Sequence, residues 1–369
     1  MNTDLVKKIA DAVLYEGYML YPYRASAIKN RQRFNWGVLV PPSYREAQKG
    51  TENQQMQTEV LVLAEETGEI DLKLRFLHLR EREIYQYDEI SEVFRAVESM
   101  KIGDRTFQTW QEAVEREFDV SAANLKKLNK RKKLAFFFFS AGAESEILYN
   151  ENGKVGGKIV RRQESVEGTI ELRVEEQNRK SKTANRKLFK LTVLISNTTP
   201  FENAAGKSRD EALAQSLVSA HTVLCVRNGE FISLLEPPDE FIDAAAACKN
   251  IATYPILVGK NGERDCLLSS PIILYDYPKI APESAGDLFD GAEIDEILTL
   301  RILTMTDDEK REMQSVDERA RVMLERTEHL SAEELMKMHG TLRQPHAFEN
   351  ENFFDGSFED QTKSVTTKQ

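Results

Sequence analysis

Residues 59–79 read EVLVLAEETGEIDLKLRFLHL, and the way this stretch divides decides the fold. Leu72, Leu74 and Phe76 alternate with Asp71, Lys73 and Arg75, the period of a half-buried strand. Residues 59–63 have the same strand character, and EETGEID at 65–71 supplies turn residues between them. The spacing predicts a β-hairpin with arms over 59–63 and 72–79. A second, longer hairpin is predicted where Ile170, Leu172 and Val174 alternate with charged residues. A polar loop follows over 175–187, and Phe189, Leu191, Val193 and Ile195 resume the alternation. A third has arms at 220–226 and 230–235 around Asn228–Gly229, a pair that accepts positive φ and suits a type I′ turn. Successive antiparallel hairpins imply a sheet or sandwich rather than a βαβ nucleotide fold.

Helices are marked by their ends. Leu5, Ile9, Ala12 and Val13 recur at helical spacing over 3–14, with Gly17 as the stop. Ser208 with Glu211 forms a capping-box pattern, and Pro238–Asp239 opens an alanine-rich helix that Asn250 ends. Three further boxes, Thr306/Glu309, Ser315/Glu318 and Ser331/Glu334, predict a chain of short helices over 292–340. The class is α+β: an antiparallel strand-rich core with short helices and a helical C-terminal segment. Turn residues clustered at 197–207 suggest a division between an N-terminal α+β domain, 1–200, and a second α+β part, 201–342, a single intertwined domain being the alternative. Polar composition predicts a disordered tail over 343–369.

The chain has 369 residues and a net charge of -11, which argues against a general nucleic-acid binder, because neutralising phosphates needs a positive field. No apolar run approaches the ~20 residues that span a bilayer, so no membrane insertion is expected. The longest run, Leu134–Ala141, fits a buried strand. The first residues lack a continuous apolar core and are not expected to be a signal peptide. Cys225, Cys248 and Cys266 stand apart in sequence, which excludes paired zinc or iron-sulfur ligands and points to a reducing, cytoplasmic setting.

Few motifs carry chemistry. AAGKS at 204–208 lies between a strand pattern and a helix, but Phe201 stands where a phosphate loop needs its first glycine, so a loop-to-helix entry is expected. LKKLNKRKK at 125–133 reads as a solvated helix leading into a strand. No serine sits in a nucleophile elbow, and no cofactor or metal is expected. His78 continues the Leu72/Leu74/Phe76 face and reads as a core histidine, whereas His221 opens a strand and could face a cleft.

Two polar clusters remain. Asp276, Glu283, Asp287, Asp290, Glu293, Asp295 and Glu296 crowd a Pro- and Gly-punctuated loop and the helix after it. Acids of this kind favour first helical turns, and Glu293 with Glu296 could also hold a hard cation or act as an acid/base pair. Near the start, Arg24, Lys29, Arg31 and Arg33 interleave with Tyr15, Tyr18, Tyr21, Tyr23, Phe34 and Trp36, the composition of a binding hot spot.

Three long segments carry a family resemblance: YEGYMLYPYRASAIKNRQRFNWG from residue 15, SLVSAHTVLCVRNGEFISLLEPP from 216, and LLSSPIILYDYPKIAPESAGDLFDGAEIDEILTLRILTMTDDEK from 267. Together they resemble an uncharacterised bacterial family associated with accessory genes of nickel-iron hydrogenases. The chain lacks the paired CxxC motifs of the catalytic subunits. The resemblance implies a non-enzymatic accessory protein, an assembly chaperone or scaffold whose partner is a hydrogenase precursor subunit or a maturation factor. Its binding residues are then expected within the matching segments: Tyr21, Tyr23, Arg24, Asn30, Arg31, Arg33 and Trp36, then His221, then Ser270, Asp276, Glu283, Asp287 and Glu293. The first and last of these segments are expected to meet as one polar surface. The alternative is an enzyme of unknown chemistry whose cleft joins His221, Arg24 or Arg31 and an acid of 276–296.

Overall fold

A computed structural model of the chain describes residues 3–19, 23–25, 27–31, 33–177, 186–279, 295–316, 318–331 and 333–334. The elements run α1 (Thr3–Leu14), α2 (Pro42–Ala47), β1 (Gln55–Asp88), β2 (Val93–Val97), β3 (Ser99–Ile102), β4 (Arg105–Gln108), β5 (Trp110–Asn124) and α3 (Leu125–Lys130). Next come β6 (Lys133–Phe139), β7 (Gly142–Tyr149), β8 (Val155–Gln163), β9 (Val166–Gln177), β10 (Lys187–Asn197), α4 (Arg209–Leu213) and β11 (Val218–Ile232). The chain continues through α5 (Ile242–Ala246), β12 (Tyr254–Leu257), β13 (Cys266–Ser270), α6 (Asp295–Leu303), α7 (Asp307–Val316) and α8 (Glu318–Glu328). The α+β, antiparallel, strand-rich class read from the sequence is what forms, with the helical segment at the C-terminal end.

Two of the three expected hairpins do not form. Residues 59–79 lie inside one strand, β1, that runs unbroken for 34 residues, and β11 likewise passes straight through Asn228–Gly229. The turn signals make a bend instead. Glu65–Gly68 fall in the register shift between Ala64↔Gly229 and Glu69↔Arg227, so the two glycine-bearing stretches lie against each other. A Cβ on Gly229 would sit 2.7 Å from the Ala64 methyl, and one on Gly68 would sit 2.9 Å from it. Asn228 takes the left-handed φ of 55°. Turn propensity is thus absorbed by a bulge shared between two long strands, which keeps both arms in the sheet. The 170–195 hairpin forms as expected: β9 and β10 pair from Leu188↔Gln177 to Asn197↔Gly168.

The main sheet has the order β12-β13-β11-β1-β10-β9-β6, with β2, β5, β7 and β8 attached beside that path. β10, before the expected domain division, and β11, after it, both pair with β1. Even-numbered residues of β1 from Ile70 to Phe76 enter the largest core with β9, β10 and β11, while Leu77 and Leu79 face a second core shared with α6, α7 and α8. No described helix is long and apolar enough to cross a membrane.

Two further expectations are corrected. The run after Leu134 is not a buried strand: β6 is an edge strand that buries Phe137 and exposes Leu134, Phe136 and Phe138. Nor do the cysteines all stand alone. Cys225 and Cys266 are direct cross-strand partners of β11 and β13, with Cα atoms 4.2 Å apart, and form a disulfide beneath α1. Forty-one residues of sequence had hidden a contact that strand register imposes. The pairing removes the ground on which a reducing compartment was expected. Cys248 is the free thiol among the described residues, and burial pushes its pKa up to about 11. Thiol counting should therefore find one reactive cysteine in the unfolded, unreduced chain and three after reduction, with the native thiol reacting slowly. Three thiols without reductant would contradict the pairing.

Candidate functional site

β1 pairs with β5 on Glu69–Arg82, leaves β11 beyond Leu77, and pairs with β8 on Glu81–Gln86. Alternation then sets Arg80 and Arg82 on one face. Arg80 lies directly opposite Glu112 of β5, and Arg82 directly opposite Arg161 of β8. Two guanidinium groups facing across a ladder repel, and Glu112 resolves this. It accepts from Arg80 Nε at 2.9 Å, Arg82 Nη1 at 3.3 Å and Arg161 Nε at 3.0 Å. Burial works against the charge of Arg161, yet its contacts with Glu146 and Glu112 hold its pKa above the ordinary value. Arg82, itself buried, also donates to the carbonyls of Gln108 at 3.0 Å and Ser315 at 2.9 Å. The second bond occupies a carbonyl that the C-terminal end of α7 leaves open, and so ties helix to sheet.

These groups floor a cleft of about 620 Å³, within the size range of small-ligand sites. β4 contributes Arg105 and Phe107 to one side, and α7 and α8 contribute Arg311, Gln314, Glu318, Arg319, Arg321 and Glu325 to the other. Seven arginines line it against five carboxylates, those of Asp104, Glu112, Glu146, Glu318 and Glu325. The surplus is notable in a chain whose net charge is -11. Arg105 stacks on Phe107, 5.0 Å from the ring centroid, and has no carboxylate partner among the described residues. Arg319 lies over the Tyr15 ring at 3.8 Å and contacts both the Tyr15 hydroxyl and, at 2.9 Å, Glu115. Planar forks in a half-enclosed site suit bidentate binding of carboxylate or phosphate.

The residues expected from the sequence lie elsewhere, and several are interior. Tyr23, Asn30, Arg33, His221 and Ser270 are buried, which corrects the expectation of an exposed aromatic-and-arginine surface. Arg33 is sandwiched: its guanidinium sits 3.7 Å from the Trp110 ring and 4.7 Å from Phe34, and it donates to the Gln111 carbonyl at 2.8 Å. Asn30 donates to the Arg24 carbonyl at 3.1 Å, and Arg24 pairs with Glu309 of α7 at 3.1 Å. Trp36 is exposed and lies against Gly17, whose φ of +72° ends the first helical segment. Ser270 donates to the Ile272 carbonyl at 3.0 Å. Asp276 accepts from Ser233 Oγ at 2.6 Å and Leu257 N at 2.7 Å. Tyr21, the Arg31 side chain, Glu283, Asp287 and Glu293 lie outside the described residues, as do Asp290 and the side chains of Asp295 and Glu296.

Among the described residues, Tyr18, Tyr23 and Phe34 of the front segment share one apolar core with Leu298, Ile302 and Met305 of the late part of the chain. An ion pair also joins Arg24 to Glu309, an acid beyond the expected loop. His221, Arg24 and Asp276 each keep separate partners, so the described residues do not assemble the cleft that the enzyme alternative requires. At 204–208 the loop enters α4 as expected, Ser208 capping the helix through Glu211 and Lys207 pairing with Glu211 at 2.6 Å. Reading from sequence missed Arg80, Arg82, Glu112 and Arg161. The signal was present in LREREIYQYD, where Arg80 and Arg82 recur at strand spacing. No known protein family and no curated protein matches the sequence.

The two buried histidines make stability depend on pH. Burial lowers the pKa of His78 to about 4, with Arg116 adding to the effect. Burial also lowers His221 to about 4, against the bond from its Nδ1 to the Ser219 carbonyl. Each is below the ordinary value near ~6.5, so between those limits the unfolded chain binds more protons than the folded one. Stability should be full above that window and fall as pH drops through it, by roughly 3 kcal/mol per histidine. A thermal melting series from neutral pH downward should show this, with a shallower fall for His221→Gln. An unchanged Tm across the window would contradict it.

Proposed function

We propose that this chain is a non-enzymatic accessory protein, an assembly chaperone or scaffold, that binds an anionic group of a protein partner in the arginine-lined cleft. The observation that carries the reading is the convergence of Arg80, Arg82 and Arg161 on the single carboxylate of Glu112, beside Arg105 with no acid of its own. Glu144 and Glu146 take further donors of Arg80 and Arg161, whereas Arg105 faces the same cleft with no carboxylate partner among the described residues. That guanidinium fork favours an incoming carboxylate or phosphate. The partner rests on the sequence resemblance, which makes it a nickel-iron hydrogenase precursor subunit or maturation factor.

Affinity capture of the full chain from cells that make such a hydrogenase tests both parts. The expected result is recovery of a precursor subunit or maturation factor, reduced about tenfold by Arg105→Glu, the loss that ~1.4 kcal/mol of binding produces. Recovery of no hydrogenase component would reject the partner, and recovery indifferent to the charge reversal would reject the cleft.

A further inference from the structure

β6 and β7 form one long edge. β6 pairs with β9 and β7 with β8, in a register that does not slip between Lys133↔Leu172 and Leu148↔Gly157. Among the described residues no strand pairs with their other side. A row of open backbone N–H and C=O groups is a template for another strand, and proteins usually blunt it with proline, bulges or charge. From Leu134 to Phe139 this edge has none of these. It exposes Leu134, Phe136 and Phe138, by 46%, 69% and 63%, all on one face, while Phe137 is held in the core.

The charges at its two ends say what fits. The edge begins with Lys132 and Lys133 and closes with Glu144 and Glu146. Both acids keep more than half of their side chains exposed while pairing with Arg80 and Arg161, and Lys132 is similarly exposed beside Glu171. Run antiparallel, such a strand is its own complement. With a twofold axis at Phe138, Lys132 of each copy lies opposite Glu144 of the other, Phe136 opposite Ser140, and Leu134 opposite Gly142. Strand alternation puts these residues on the same face. We propose that the edge from Lys132 to Glu146 is an interface between two copies of this chain, paired antiparallel about that axis. The sheet then continues across the dimer, the open backbone groups are satisfied, and the phenylalanines of each copy cover those of the other.

Sedimentation of the full chain from low to high micromolar concentration tests this. The expected result is a reversible dimer, with Phe138→Lys weakening it at least ~tenfold while the far-ultraviolet circular dichroism stays native. Lys132→Glu should weaken it also, and Lys132→Glu combined with Glu144→Lys should restore it. The charge pair decides the matter if Phe138→Lys does not fold. A monomer at every concentration would overturn the proposal, and so would a dimer indifferent to these changes.

Discussion

The structure depends on β1 remaining a single strand through the bend at Glu65–Gly68. Five strands pair with it: β10 on Gln55–Ala64, β11 on Leu61–Leu77, β5 on Glu69–Arg82, β8 on Glu81–Gln86 and β2 on Ile84–Asp88. Because side chains alternate, one register sends Leu72, Leu74 and Phe76 into the main core, Leu77 and Leu79 toward the C-terminal helices, and Arg80 and Arg82 into the cleft. A slip of one residue would exchange these faces and strand arginines in apolar surroundings.

Buried charge fixes that register further. Arg75, only 2% exposed, lies opposite His221 on one side and Glu117 on the other, and its guanidinium reaches Asp11 of α1 at 2.6 Å and Glu117 at 2.9 Å. A buried guanidinium left without acids would be strongly destabilising, and here Asp11, Glu115 and Glu117 share that compensation. Glu115, in contact with Arg75, accepts the Tyr15 hydroxyl at 2.6 Å and pairs with Arg319. Burial first, and then this bond, raise the Tyr15 pKa, so the hydroxyl stays a donor at neutral pH. α1 and α8 are thereby moored to the same acid, and α8 carries one wall of the cleft.

How much of this was legible follows from the range of each signal. Caps are local, and Ser208/Glu211, Thr306/Glu309 and Ser331/Glu334 form as read. Ser315 donates instead to the Glu312 carbonyl, within α7. Alternation correctly announced strands, but it says nothing of where a strand stops. At Gly68 and Asn228–Gly229 turn chemistry lost to pairing along both flanks, a tertiary outcome that no window of sequence contains. The aromatic front segment was read as surface because tyrosine and arginine mark hot spots, whereas Arg33 is stacked inside. The cleft was missed for the converse reason: Arg80, Arg82, Glu112 and Arg161 come from three strands and become a site only through cross-strand register.

Amide–amide contacts measured by nuclear Overhauser spectroscopy on the perdeuterated chain test the unbroken strand most directly. Residues around Leu74 should show cross-strand contacts both to Thr222 and to Phe118, their partners on β11 and β5. Contacts joining 59–63 to 72–79 across a closed turn, with none from Leu74 to one of those two strands, would contradict the account.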